Sequence, residues 1–212
     1  LSGLVGSEMC IRDRNILDFD LINKAIYWAK KYHGDQKRKS GEPYYSHPLE
    51  VAYMISEHNL KTDVIVASIL HDIIEDTEVT AGMIIDNFSW RIAKMVDMLT
   101  RDRPDGTKLT IEEIITNAYQ KQDKEVLLIK LIDRLHNVQT LDAMKPDKKI
   151  QTIKETLLYF ISMSMYYNVI HIIISLEEKC SSVLSNTQTQ RLLLPKFSYC
   201  DFKLPSPNSN LL

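Results

Sequence analysis

Apolar residues recur at helical spacing along most of the chain. Ile22, Ala25, Ile26 and Ala29 share one face of a segment over residues 19–32, and Gly34 ends it. Pro48 suits a first helical turn and opens a helix over 48–57. Lys61-Thr62-Asp63 begins another, whose Val64, Ile65, Val66, Ile69 and Leu70 read as core. Residues 79–87 and 89–99 read as two short helices, the second with a Ser cap. "RDRPDGTK" reads as a turn, 109–120 and 124–139 as helices, and a further helix starts near Lys148. Strand-like alternation is scarce and glycine is rare, with six in 212 residues, so the expected fold is all-α in a single domain.

Three stretches depart from this pattern. "LLYFISMSMYYNVIHIIISL", residues 157–176, has no charged residue over a span long enough for a bilayer. Ser162, Ser164, Asn168, His171 and Ser175 interrupt it, and polar groups at mid-membrane are costly, so it reads as two buried helical segments meeting near Tyr167-Asn168. From Ser181 the chain is rich in Ser, Asn, Gln and Pro and reads as a weakly ordered tail, residues 181–212. The start, "LSGLVGSEMCIRDR", lacks an initiator Met, helical period and an apolar stretch long enough for a secretory signal. It resembles a translated sequencing adaptor, so residues 1–14 are set aside as non-native or disordered and residues 15–180 are taken as the folded domain.

Composition narrows the function classes. With 44% apolar and 25% charged residues the chain is of globular type, and a net charge of −2 gives no general attraction to nucleic acid or anionic membrane. Cys10, Cys180 and Cys200 form neither a CxxC pattern nor a disulfide framework, which points to a reducing cytoplasm. The pattern carries no information on oligomeric state.

"SILHDIIEDT", residues 68–77, concentrates ionisable groups at the end of an apolar helix. His71 and Glu75 are four apart, as are Asp72 and Asp76, so on a continuous helix each pair would share one stripe. His47 precedes Pro48, and Asp133 sits in "LIKLIDRLHN" among apolar neighbours, where a lone carboxylate would be costly to bury. Two imidazoles and two carboxylates, His47, His71, Asp72 and Asp133, would neutralise a divalent ion, and that donor mix suits Mn, Fe, Zn or Co better than Ca or Mg. Open coordination positions would let such a centre activate water or polarise a phosphoryl oxygen. Glu75 and Asp76 would then lie near enough to orient or deprotonate that water. The competing reading is that the His-Asp pair is a surface feature and that Asp133 forms an ion pair with Lys130. The loop "QKRKSG" collects three cations in four residues, either a local anion trap or a solvated basic loop. His33 and His136 read as structural or surface residues, and His58 and His171 receive no role.

The stretches "HGDQKRKSGEPYYSHPLEVA", "ASILHDIIEDT" and "LIKLIDRLHNVQTL", in this order, closely resemble the hydrolase domain of the RelA/SpoT family over about residues 18–160. The resemblance implies an HD-type helical bundle that removes pyrophosphate from the 3′ position of the alarmone (p)ppGpp. It implies one metal ion, usually manganese, held by the positions of His47, His71, Asp72 and Asp133, with Glu75 and Asp76 as the acidic pair that manages the attacking water. The positions of Arg38, Lys39 and Ser40 would line the nucleotide pocket, the arginine near guanine, and Asn137 and Thr140 would lie near the sugar and phosphates.

After "IKETL" the chain leaves the family pattern: an expected Tyr-Ala-Pro-Leu-Ala run and Arg-Leu-Gly turn are replaced by "LYFISMSMYYNVIHIIISLEEK". No second catalytic domain fits the remainder, so the expectation is a stand-alone hydrolase or a fragment of a decayed long member. Two alternatives stay open: an HD phosphohydrolase acting on another nucleotide, such as the 2′-phosphate of NADPH, and an inactive nucleotide-binding fragment.

Overall fold

A computed structural model describes residues 17–58, 60–103, 106–141, 144–161, 163 and 170–185. The segments 1–14 and 186–212, and the expected junction at Tyr167-Asn168, lie outside the described residues. Ten α-helices and one π-helical segment form the described chain, with no strand among the described residues, so the all-α expectation holds. The helices are α1 (Phe19–His33), α2 (Ser46–Ser56), α3 (Thr62–Ile69), α4 (Ile73–Asp76) and α5 (Ala81–Asn87). They continue as α6 (Trp90–Leu99), α7 (Ile111–Gln120), α8 (Lys124–Gln139), α9 (Pro146–Glu155), the π segment Thr156–Phe160, and α10 (Ile170–Ser185).

Local chemistry sets most boundaries. Asp18, Thr80, Ser89 and Asp123 cap α1, α5, α6 and α8 by accepting a backbone N–H from the first turn. Thr110 and Glu113 form a reciprocal capping box at α7. The long helix α8 is the hub. Val126, Leu127, Ile129, Leu131, Ile132, Leu135 and Val138 are buried, and α8 packs against α2, α3, α6, α7, α10 and the π segment. Each such buried aliphatic side chain stabilises the fold by about 1.5–3 kcal/mol.

Several boundaries differ from the sequence reading. The second helix starts at Ser46, two residues before Pro48. Ser46 N–H and His47 N–H bond the carbonyls of Pro43 and Tyr44, so the turn runs directly into the helix and His47 joins its first turn. The helix carrying the His-Asp pair is not continuous: it stops at Ile69 and resumes at Ile73, with Leu70, His71 and Asp72 in a turn. The stripes assumed for residues 71–76 are therefore broken. The closing helix α10 extends to Ser185, past the expected boundary at Ser181, because buried Cys180 and Val183 continue its apolar face. Cys180 is a free thiol whose pKa burial pushes up to about 12. The π segment, which helical spacing does not reveal, lies where the chain leaves the family pattern. Arg134 on α8 fastens this region, pairing with Glu155 at 3.1 Å and lying over the Phe160 ring at 4.5 Å. No helix among the described residues is long and apolar enough to cross a membrane.

Candidate metal centre

Three segments remote in sequence meet below one cleft. His47 comes from the first turn of α2, His71 and Asp72 from the α3–α4 turn, and Asp133 from the middle of α8. One ligand atom from each of His47, His71 and Asp133 lies within 4.8 Å of the others, and all three residues are buried. Asp72 borders this group, with Oδ1 3.1 Å from His71 Nε2 and Oδ2 3.6 Å from His47 Nε2.

The helix break arms His71. Its Nδ1–H donates to the Ser68 carbonyl at 2.7 Å, and this fixes the tautomer that leaves the lone pair on Nε2. Nε2 is buried without a hydrogen-bond partner, with Asp133 Oδ1 3.8 Å away. With Nε2 turned toward Asp72 and Asp133, either a proton or a metal ion can occupy the space between them, and two imidazole nitrogens with two carboxylates are a donor set that fits a divalent metal ion. Burial opposes a charged imidazole here, yet Asp72 and Asp133 outweigh it and raise the His71 pKa to about 10 in the metal-free protein. Asp133 is likewise pushed by burial toward the neutral form, but Lys130 and the two histidines hold it well below the usual carboxylate range.

Asp133 accepts on both oxygens. Oδ1 faces His47 Nε2 at 3.2 Å and accepts from Asn137 Nδ2 at 2.6 Å, while Oδ2 pairs with buried Lys130 at 3.1 Å. The ion pair posed as an alternative to a ligand role thus exists beside the histidines rather than in place of them.

A chain of contacts also sets the tautomer of His47. Its Nδ1 lies 2.9 Å from Nδ1 of His136, and Arg38 Nη1 lies 3.2 Å from that same His136 atom. A guanidinium only donates, so His136 Nδ1 is the acceptor and His47 Nδ1 carries the hydrogen. His47 Nε2 is then left with its lone pair facing Asp133. Burial, helped by His47 and Arg38, lowers the His136 pKa to about 4, which keeps it a neutral acceptor. His136, read from the sequence as packing or surface, stands directly behind a predicted ligand; its sequence signal was only its place three residues after Asp133.

A cleft of about 470 Å³ opens over the cluster. Arg38, Lys39, Ser40, Asn137 and Thr140, all expected at a nucleotide pocket, line it together with Glu75. The basic loop is a tight hairpin: Arg38 N–H bonds the Glu42 carbonyl at 2.9 Å, Lys37 bridges Pro43, and Gly41 takes a φ of 94° open to glycine. Arg38 Nη2 donates to Asn137 Oδ1 at 3.1 Å, which orients its plane over the end of α8. Glu75 Oε2 accepts the Arg101 N–H at 3.1 Å, and burial raises the Glu75 pKa. Asp76 does not line the cleft. Its carbonyl accepts Gln36 Nε2 at 2.9 Å and its side chain meets the Tyr44 hydroxyl, which also lies 3.5 Å from Asp72 Oδ2. His33 is buried and stacks on Tyr44 at 4.8 Å, in keeping with a structural role.

The helical architecture and a His/Asp cluster drawn from two helices and the α3–α4 turn define the class. Residues 25–163 match the HD domain. The GTP pyrophosphokinase rsh of Brucella ovis is 41% identical over 142 residues, covering 65% of this chain and 19% of that protein. The guanosine-3′,5′-bis(diphosphate) 3′-pyrophosphohydrolase of Aquifex aeolicus is 39% identical over 142 residues, covering 64% of this chain and 20% of that protein. A solved structure of a metazoan SpoT orthologue, described as hydrolysing ppGpp, superposes with a TM-score of 0.56 at 22% identity. It covers 82% of this chain and 97% of that one, a likeness of fold. The chain belongs to the HD-domain family, and its domain is of the RelA/SpoT type. It spans about a fifth of the length of these curated relatives.

Proposed function

We propose that this domain hydrolyses the 3′-pyrophosphate of (p)ppGpp, yielding pyrophosphate and GDP or GTP, with one manganese ion held by His47, His71, Asp72 and Asp133. The observation that carries the reading is that a buried nitrogen-and-oxygen cluster, with the orphaned His71 Nε2 at its centre, opens onto the same cleft as the Lys37–Lys39 loop. The named activity of the Aquifex relative supports the choice of substrate.

A bound divalent ion supplies Lewis-acid polarisation of a phosphoryl oxygen and eases deprotonation of water. The chain supplies the rest. Asp133 stays ionised between Lys130 and the histidines, so the centre keeps its charge across the physiological range. Hydrolysis forms a bond from a water oxygen to the phosphorus on the ribose 3′ oxygen and breaks the bond from that phosphorus to O3′. Glu75 takes the water proton, and the leaving O3′ takes up a proton from solvent to become the 3′-hydroxyl; Glu75 lines the cleft, and burial makes its carboxylate a stronger base than an exposed one. Arg38, tied by Asn137 and His136, offers a planar guanidinium to the nucleoside end, and Lys39 offers a compact cation to phosphate.

The test is incubation of purified protein with Mn²⁺ and ppGpp while following pyrophosphate. Turnover that disappears with metal removal supports the proposal. Folded, manganese-loaded protein that releases no pyrophosphate rules it out.

A further inference from the structure

The sequence pattern gives Arg101 no role, yet the fold presents it to the cleft. It stands just past α6, and its main chain is fixed on both sides. Its N–H donates to Glu75 Oε2 at 3.1 Å, and its carbonyl accepts the Leu109 N–H at 3.0 Å. The chain folds back between these points. Asp102 and Lys108 form an antiparallel bridge and an ion pair of 2.8 Å, and Arg103 N–H bonds the Thr107 carbonyl at 2.9 Å. The Arg101 side chain therefore projects from a braced base.

That side chain is under-partnered. Its Nε is buried without a hydrogen-bond partner, and among the described residues no carboxylate lies within ion-pair distance of the guanidinium. Arg91 holds Asp63 and Glu125, Arg134 holds Glu155, Arg103 holds Asp97 although its Nε is also unpartnered, and Arg38 holds His136 and Asn137. A buried donor left unmade is costly, and a guanidinium's natural partner is a bidentate oxyanion such as phosphate. An anion entering the cleft would complete it.

The identity of that anion rests on the function proposed above. The nucleoside end of the substrate lies toward Arg38, and the diphosphate being split lies over the cluster, where Glu75 meets the water. Arg101 is joined through its backbone to Glu75, the residue placed beside the attacked phosphorus, and lines the same cleft. The geometry points to Arg101 as a second phosphate-binding residue, separate from the Lys37–Lys39 loop, that holds the outer phosphate of the departing pyrophosphate.

Calorimetric titration of inorganic pyrophosphate into the whole protein in Mn²⁺ buffer, against a protein-free blank, tests this. Arg101→Gln is expected to weaken pyrophosphate binding about tenfold or more, as loss of a charge-assisted hydrogen bond implies. Arg101→Lys is expected to lose less, and GDP binding should change by less than about twofold in both. Since the bonds to Glu75 and Leu109 come from the main chain, both variants keep the loop. In the unaltered protein, pyrophosphate should also protect Arg101 from phenylglyoxal, read by peptide mass spectrometry, and GDP should not. The assignment is overturned by equal pyrophosphate affinity in Arg101→Gln, by parallel loss of pyrophosphate and GDP binding, by absent protection, or by an unaltered protein that binds no pyrophosphate. All readouts are binding, so a protein without turnover that still shows the selective loss refutes the hydrolase reading and leaves Arg101 as a diphosphate-binding residue with no departing group.

Discussion

The Nδ1 atoms of His47 and His136 face each other at 2.9 Å, and Arg38, donating to the same His136 atom from 3.2 Å, decides which of them carries the hydrogen. A residue of the basic loop thereby governs the lone pair that His47 can offer to a metal. Replacing His136 with Ala removes the acceptor and frees the His47 ring to turn or change tautomer. The expected result is a 10- to 100-fold weaker Mn²⁺ affinity by calorimetry, with little change in melting temperature. Unchanged affinity would show that His47 is oriented by its packing alone.

The His71 proton and the metal ion compete for one nitrogen. In the metal-free protein the His71 pKa stands at about 10, above the ordinary 6.5. A raised folded-state pKa means that the stabilisation is complete below about pH 6.5, where both folded and unfolded chains are protonated, and that it is lost as pH rises toward 10. Metal binding must expel this proton, so apparent Mn²⁺ affinity should rise about tenfold per pH unit between pH 6.5 and 9. Titrations in buffers of different ionisation enthalpy would register the released proton; a flat affinity over this range would show that no proton leaves His71 on binding and contradicts the competition.

Asp133 serves two masters, the histidines and Lys130. Asp133→Asn should abolish Mn²⁺ binding and also destabilise the metal-free fold by about 3–5 kcal/mol, because Lys130 is left as an uncompensated buried charge. Urea denaturation measures this, and adding Lys130→Met should return much of the lost stability without restoring metal. A single variant as stable as the parent would mean that Lys130 escapes to water.

Glu75 and Asp76 are adjacent in sequence and unequal in place, since only Glu75 lines the cleft. Glu75→Gln is expected to lower kcat by about a hundredfold or more while Mn²⁺ affinity holds. Asp76→Asn, acting through Tyr44, should cost less than about tenfold on the same scale of proton-transfer effects. Steady-state kinetics alongside metal titrations would separate the two; equal losses would return Asp76 to the chemistry.

Much of the fold and part of the candidate site are legible in the amino-acid sequence. The helical spacing around Ala25 and Ala29 and the apolar run through α8 locate those helices within a few residues, because long amphipathic or buried segments carry many independent signals. The candidate ligands stand out as ionisable residues in apolar surroundings, with their specific roles implied by family resemblance. The break at Leu70–Asp72 is hidden, since the apolar pattern runs on through Ile73 and Ile74 and the turn depends on His71 capturing the Ser68 carbonyl. Arg101 is hidden for a related reason: its link to Glu75 spans 26 residues and is made by the main chain, which leaves no trace in residue type.

The centre draws its side chains from α2, from the α3–α4 turn and from α8, the hub of the core. An ion seated there would act as a rivet through three separate stretches of polypeptide. Metal supply would then set the protein's lifetime as well as its chemistry, with the stripped form breathing more widely and meeting proteases sooner.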